Sequence, residues 1–283
     1  MLTRHVALVT EESKITMREL SATAAALQKQ ATRDLGPIWD VQATVTAFEK
    51  LEDLPLDYWP VIVKDDIGDP SAAGYHEDQN GQPYSLVQYS AGWSLTASHE
   101  ACEMLVDPFG RRLIAGESPV AGQGRVRFLV EVCDPCEADQ FAYNINGIKV
   151  SDFYTPHYFE PTASAGVRYS FTNALKQPKQ VLKGGYLSWY VQQTKTWWQE
   201  SWFGAKAVSA PIKNFKVTGG NLRASLDRYR EVERAKALNR GVEPKGAKRM
   251  AAGTSGDLPH LLQCSARAEM LRADVKKVTR KKP

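Results

Sequence analysis

Three residues in the stretch Thr96–Pro108 have the types and spacing to do chemistry: His99, Glu100 and Glu103. In a helix, His99 and Glu103 stand one turn apart on the same face. That spacing brings an imidazole nitrogen and a carboxylate oxygen to bear on one cation, each about 2 Å from a zinc ion. Glu100, next to the imidazole, is placed to hold a water at such a metal and take its proton.

The stretch resembles the active-site helix of the zincins, most closely that of the thermolysin-like gluzincins, whose HExxH pattern appears here as HExxE. In that family the motif runs on as HExxHxxxD, and Asp107 falls at the position of the final acid. The departure is Glu103 where the family has its second histidine. A carboxylate is an accepted zinc ligand, but it adds negative charge and lowers the metal's Lewis acidity. The resemblance implies a zinc cofactor, a peptide or protein substrate, and Glu100 as general base.

A catalytic zinc takes three protein ligands and one open position. Asp107 lies eight residues beyond His99, about 12 Å along an unbroken helix, too far to share a metal with both His99 and Glu103. It is left the job of orienting a ligand, or of ending the helix at Pro108. The family takes its third ligand from a downstream Glu, with a nearby Asp behind it. Glu131 and Asp134 resemble that pair, with Glu131 expected as ligand and Asp134 as its support or substitute. On a regular strand the two would face opposite ways unless a bulge intervenes. His76 and His157 are alternative ligands or oxyanion donors, with ordinary surface or core histidines as the competing reading.

The elements that must position these groups read as an α+β chain. His5–Thr10 is a first strand. Thr16 and Glu19 make a capping box for a long helix reaching Leu35, where Gly36-Pro37 is expected to stop it. Strands follow at Val41–Phe48 and Val61–Lys64. The Asp-, Gly- and Pro-rich 65–83 reads as a loop, Tyr84–Tyr89 as a strand and Ser94–Val106 as the helix of interest. The order β-α-β-β-β-α matches a zincin upper subdomain, in which the strand before the helix is an edge that receives an extended substrate, as the resemblance implies. Beyond Pro108 the chain turns to strands: Val126–Val132, a hairpin about Asn146-Gly147, Val167–Phe171 and Gly185–Gln193. Trp189, Trp197, Trp198 and Trp202 are expected to close a core. This divides the chain into a zincin-like part (1–110), a β-rich part (111–218) and a basic tail (219–283), helical about Leu222, Leu226 and Tyr229 and again at Leu258–Ala273, then disordered.

With 283 residues, the chain can bury a full core. No apolar run approaches a membrane span, and Met1–His5 does not lead into a signal peptide, so a cytoplasmic location is expected, with release by an unconventional route or by lysis left open. The net charge of +4 hides an asymmetry: from Ala205 onward 19 Lys and Arg face 7 Asp and Glu, against 17 and 25 in the remainder. The tail could therefore contact a polyanion, or simply be solvated. Cys133 and Cys136 form a lone CxxC, which excludes a four-cysteine zinc ribbon and reads as two reduced thiols. A phosphate loop, a Gly-x-Ser-x-Gly elbow and the signatures of nucleic-acid modules are absent from the sequence. Segments Ser98–Pro108, Glu131–Pro135 and Val150–Phe153 also resemble uncharacterised bacterial and phage-related proteins. The expected function is a zinc-dependent peptidase; its rivals are a non-catalytic zincin-fold binding or structural protein with a docking tail, and a nucleic-acid binder led by that tail.

Overall fold

The computed structural model describes residues 2–68, 72–213, 215–217, 222–223 and 225–226. Strand β1 (Arg4–Thr10) is apolar on both faces and lies inside a five-stranded sheet of order β2-β1-β3-β5-β4. Its partners are β2 (Ala43–Phe48) and β3 (Tyr58–Lys64), both parallel to it; β5 (Gln82–Gln88) continues the parallel set beyond β3, and β4 (Gly74–Gln79) closes it antiparallel. Val6 and Leu8 face the main core, while Ala7 and Val9 pack with Leu54 on the opposite side. That two-sided burial explains the unbroken apolar run, as expected for a parallel strand.

Helix α1 (Met17–Lys29) opens with both halves of the capping box, Thr16 accepting from the Glu19 amide and Glu19 accepting from the Thr16 amide. Gly36-Pro37 does not stop this helix. A π-helical turn, Gln30–Leu35, carries it into the short α2 (Gly36–Trp39), where Pro37 sits in the first turn and its missing N–H costs nothing. The end comes at Asp40, whose left-handed backbone (φ 54°) turns the chain toward β2.

The region 65–83 is not all loop. Within it runs β4, joined to β5 by the two-residue turn Asn80-Gly81 with φ of 56° and 84°. Left-handed angles at both central residues are those of a type I′ hairpin, the same signal as at Asn146-Gly147. The latter turn joins β8 (Tyr143–Ile145) to β9 (Ile148–Val150) as expected. Consequently β5, the strand before the key helix, is interior, and the edge of the sheet is β4.

Helix α3 (Trp93–Val106) is buried from Ala97 to its end, including its acids. Beyond it a second five-stranded sheet, order β12-β11-β10-β7-β6, is antiparallel throughout: β6 (Leu113–Glu117), β7 (Arg125–Leu129), β10 (Tyr186–Val191), β11 (Thr196–Ser201) and β12 (Val208–Pro211). One apolar core runs from Val6 and Leu8 through Met104 to Phe128 and Trp189, with Trp198 and Trp202 packed against it. Trp197 instead packs on a small satellite cluster. Val167–Phe171 does not form a strand: Ser170 makes one isolated bridge with Tyr154, and the Ser170 hydroxyl is turned to the amides of Ala174 and Leu175. No helix among the described residues is long and apolar enough to cross a membrane. The tail beyond Leu226, including the expected helix at Leu258–Ala273 and the polyanion contact, lies outside the described residues.

Candidate metal centre

Helical geometry turns His99, Glu100 and Glu103 to one side of α3, and all three are buried. Glu103 sits at the middle and uses its two oxygens in different directions. Oε1 lies 3.3 Å from His99 Nε2 and accepts from the Cys133 amide at 3.1 Å. Oε2 points the other way, 3.8 Å from His76 Nδ1. The cluster therefore has two halves that share one carboxylate.

The first half is completed by Asp134, whose Oδ1 is 3.2 Å from His99 Nε2. Strand β7 ends at Leu129, and after four intervening residues a 3-10 turn, Asp134–Cys136, begins with Pro135 in its first positions. The break lets Glu131 and Asp134 reach the same cluster, which a continuous strand to Val132 would have forbidden. Carboxylate oxygens of Glu103, Glu131 and Asp134 lie within 4.8 Å of one another. The turn is held against β10 by Gly185, where a Cβ would come 2.5 Å from the Asp134 carbonyl. It is thus Asp134, rather than Glu131, that touches the imidazole.

The second half is built on the edge strand. His76 is fully buried in β4, and its Nε2 donates to the Asp107 carbonyl at 2.9 Å. With the proton on Nε2, the lone pair of Nδ1 faces Glu100 Oε2 at 3.6 Å. Asp107 does orient a histidine, but through its backbone; its carboxylate accepts from the Arg112 amide at 2.6 Å and closes the loop after α3. Gly74 permits the close approach of β4, since a Cβ there would stand 2.6 Å from Thr96 Cγ2 and 3.1 Å from Glu100.

Arg223 fills this second half. Its Nη2 donates to Glu103 Oε2 at 2.6 Å, its Nη1 to Glu100 Oε2 at 3.3 Å and to His76 Nδ1, and its Nε lies 2.5 Å from Glu131 Oε2. No sequence signal marked this residue. It stands in a charged helical stretch that reads as solvated, far along the chain from every group it touches. Tyr154 was also missed: its hydroxyl is buried without a hydrogen-bond partner among the described residues. His157 does not join the cluster. It is exposed on another turn and pairs with Glu160 at 2.6 Å.

Burial works against a charged His99, yet Glu103 and the hydrogen bond to Asp134 outweigh it and hold the imidazole well above its ordinary range. Burial likewise opposes ionisation of Glu103, but His99 and Arg223 prevail and keep it well below the usual carboxylate range. Asp134 loses that contest: burial and the Glu103 charge push it up to about 8. Cys102, Cys133 and Cys136 are buried and unbridged, and burial raises the thiols of Cys133 and Cys136.

A testable consequence follows for the metal-free protein. Because Asp134 titrates higher folded than unfolded, its stabilising contribution is complete below the unfolded value near 4 and is lost as pH rises through about 8. Asp134→Asn cannot ionise. In the presence of chelator, the melting temperature of the variant minus that of wild type is therefore expected to rise between pH 5 and pH 9. A flat or falling difference would show that Asp134 does not carry this burden.

Two spacings at His99 suit a small divalent cation: donors about 2.0–2.2 Å from a tetrahedral zinc stand roughly 3.3 Å apart, and His99 Nε2 lies 3.3 Å from Glu103 Oε1 and 3.2 Å from Asp134 Oδ1. The chain matches no protein-family model, no curated protein and no solved structure, so the centre is judged by its own chemistry.

Proposed function

We propose that the protein is a zinc-dependent hydrolase acting on peptide bonds, on a zincin-like scaffold. The observation that carries this reading is the placing of His99 Nε2 between two buried carboxylates, 3.3 Å from Glu103 Oε1 and 3.2 Å from Asp134 Oδ1, with Glu100 next to His99 in the chain. His99, Glu103 and Asp134 would hold the metal, with Glu131 close enough to Glu103 and Asp134 to replace or supplement either. When bound, zinc supplies a Lewis acid that polarises a carbonyl and lowers the pKa of water. Glu100 then accepts the proton of the attacking water and returns it to the leaving amine. The hydroxyl of Tyr154 is an unspent donor for an oxygen of the substrate.

With zinc supplied in excess at neutral pH, the full chain is expected to retain about one metal per molecule after gel filtration. His99→Ala is expected to retain none while keeping its circular dichroism. Wild-type protein that emerges without zinc has no such centre.

One observation favours a second reading. A guanidinium already pairs with Glu100, Glu103 and Glu131, as in a buried structural cluster. On that reading the scaffold is a non-catalytic binding or structural component.

A further inference from the structure

The two readings differ only in which cation the acids hold, and the contacts of Arg223 say how one excludes the other. The guanidinium touches His76, Glu100, Glu103 and Glu131, and each of these also belongs to a group of donors able to hold a metal. The metal position proposed above and the guanidinium meet at Glu103, one on each oxygen. Two cations on one buried carboxylate repel each other in a low-dielectric site, so each weakens the other. Arg223 also donates to Oε2 of Glu100, the carboxylate assigned as general base.

The segment that carries Arg223 packs beside the main core rather than in it. Leu226 packs with Leu129 and Ile212 in a three-residue cluster apart from the main core, with Leu222, Phe215 and Trp197 at its margin. Leu222 also lines a surface cleft of about 500 Å³, together with Asp78 of the edge strand and Trp197. The guanidinium lies against the backbone of β4, where Nη1 is 3.5 Å from the His76 carbonyl. It stands between His76 of the edge strand and the acids of α3.

We propose that Arg223 is an internal inhibitory cation: the segment around Leu222 and Leu226 straps it into the acid cluster, metal and guanidinium bind antagonistically through Glu103, and withdrawal of the strap frees Glu100. The proposal rests on the metal-centre reading above. Because coupling between two ligands is reciprocal, metal must loosen the strap by the factor by which the strap weakens metal.

The test uses the full chain and zinc alone, with no substrate. Zinc affinity is measured by competition with a chromogenic chelator for wild type, Arg223→Gln and Leu226→Ala. The Leu226 change touches none of the acids, and it carries the test if the Gln variant fails to fold. Zinc is expected to bind at least tenfold more tightly to Arg223→Gln and several-fold more tightly to Leu226→Ala. Hydrogen exchange of the wild-type amides at 222–226 is expected to accelerate on adding zinc. If wild type binds zinc and the folded variants bind it no more tightly, strap and metal are independent and the proposal is overturned while the metal centre stands. Zinc that leaves exchange at 222–226 unchanged or slower overturns it equally. If none of the folded proteins binds zinc, the metal centre itself is wrong and the strap proposal falls with it.

Discussion

Glu103→Gln is expected to be the most damaging single isosteric change in the protein. Oε1 accepts from the Cys133 amide and faces His99; Oε2 accepts from Arg223. An amide has one accepting end, so either orientation turns an NH₂ toward donors. The variant also removes the negative charge that both His99 and Arg223 answer, at a side chain that is itself fully buried. Breaking a buried ion pair on one side costs about 3–5 kcal/mol. In a chain of this size each kcal/mol moves the melting temperature by roughly 2–4 °C. The metal-free variant should therefore melt roughly 10 °C below wild type and hold no zinc. Differential scanning fluorimetry in chelator reads the first effect and metal analysis the second. A variant that melts with wild type would mean that the charge of Glu103 is not what holds the cluster.

The sequence exposed those parts of this centre that depend on local spacing. His99, Glu100 and Glu103 are separated by one and three residues, and any helix puts them together. The Thr16 capping box and the Asn146-Gly147 turn are equally local, and both formed. Position in the sheet was harder. Gly74–Gln79 contains a single apolar residue, Tyr75, and no apolar alternation, because an edge strand is fixed by backbone pairing and needs little of either. The turn Asn80-Gly81 carried the hairpin signal that would have found it, and with it the place of His76. Asp134 was undervalued because the strand through Glu131 looked continuous; only the end of β7 at Leu129 frees the two acids to share a target. Arg223 had no local trace at all. Its meaning lies in contacts with residues 76, 100, 103 and 131, and pairing at such separation is set by tertiary packing, which periodicity cannot report.

Glu100→Gln is expected to separate proton transfer from everything else the cluster does. The amide is nearly isosteric, and Glu100 is the most weakly bound of Arg223's carboxylate partners, at 3.3 Å against 2.6 and 2.5 Å for Glu103 and Glu131. Burial opposes its ionisation, but Arg223 and the charge on His99 hold it below the ordinary carboxylate value, so the wild-type group is an anion already engaged. Removing that charge leaves His99, Glu103 and Asp134 intact, so zinc retention should persist and the melting temperature should shift far less than in Glu103→Gln. A base that must accept a proton cannot be an amide, and turnover should fall by about 10² or more, the usual contribution of a positioned base. Cleavage of a mixed peptide library is the assay, run with and without chelator in both the wild-type and the Leu226→Ala background. The second background matters because a strapped Arg223 would hide the base in the first. Chelator-insensitive cleavage, or equal cleavage by the Gln variant, removes Glu100 from the chemistry. Zinc-loaded Leu226→Ala protein that cleaves nothing makes the cluster a structural one and the scaffold a binding protein.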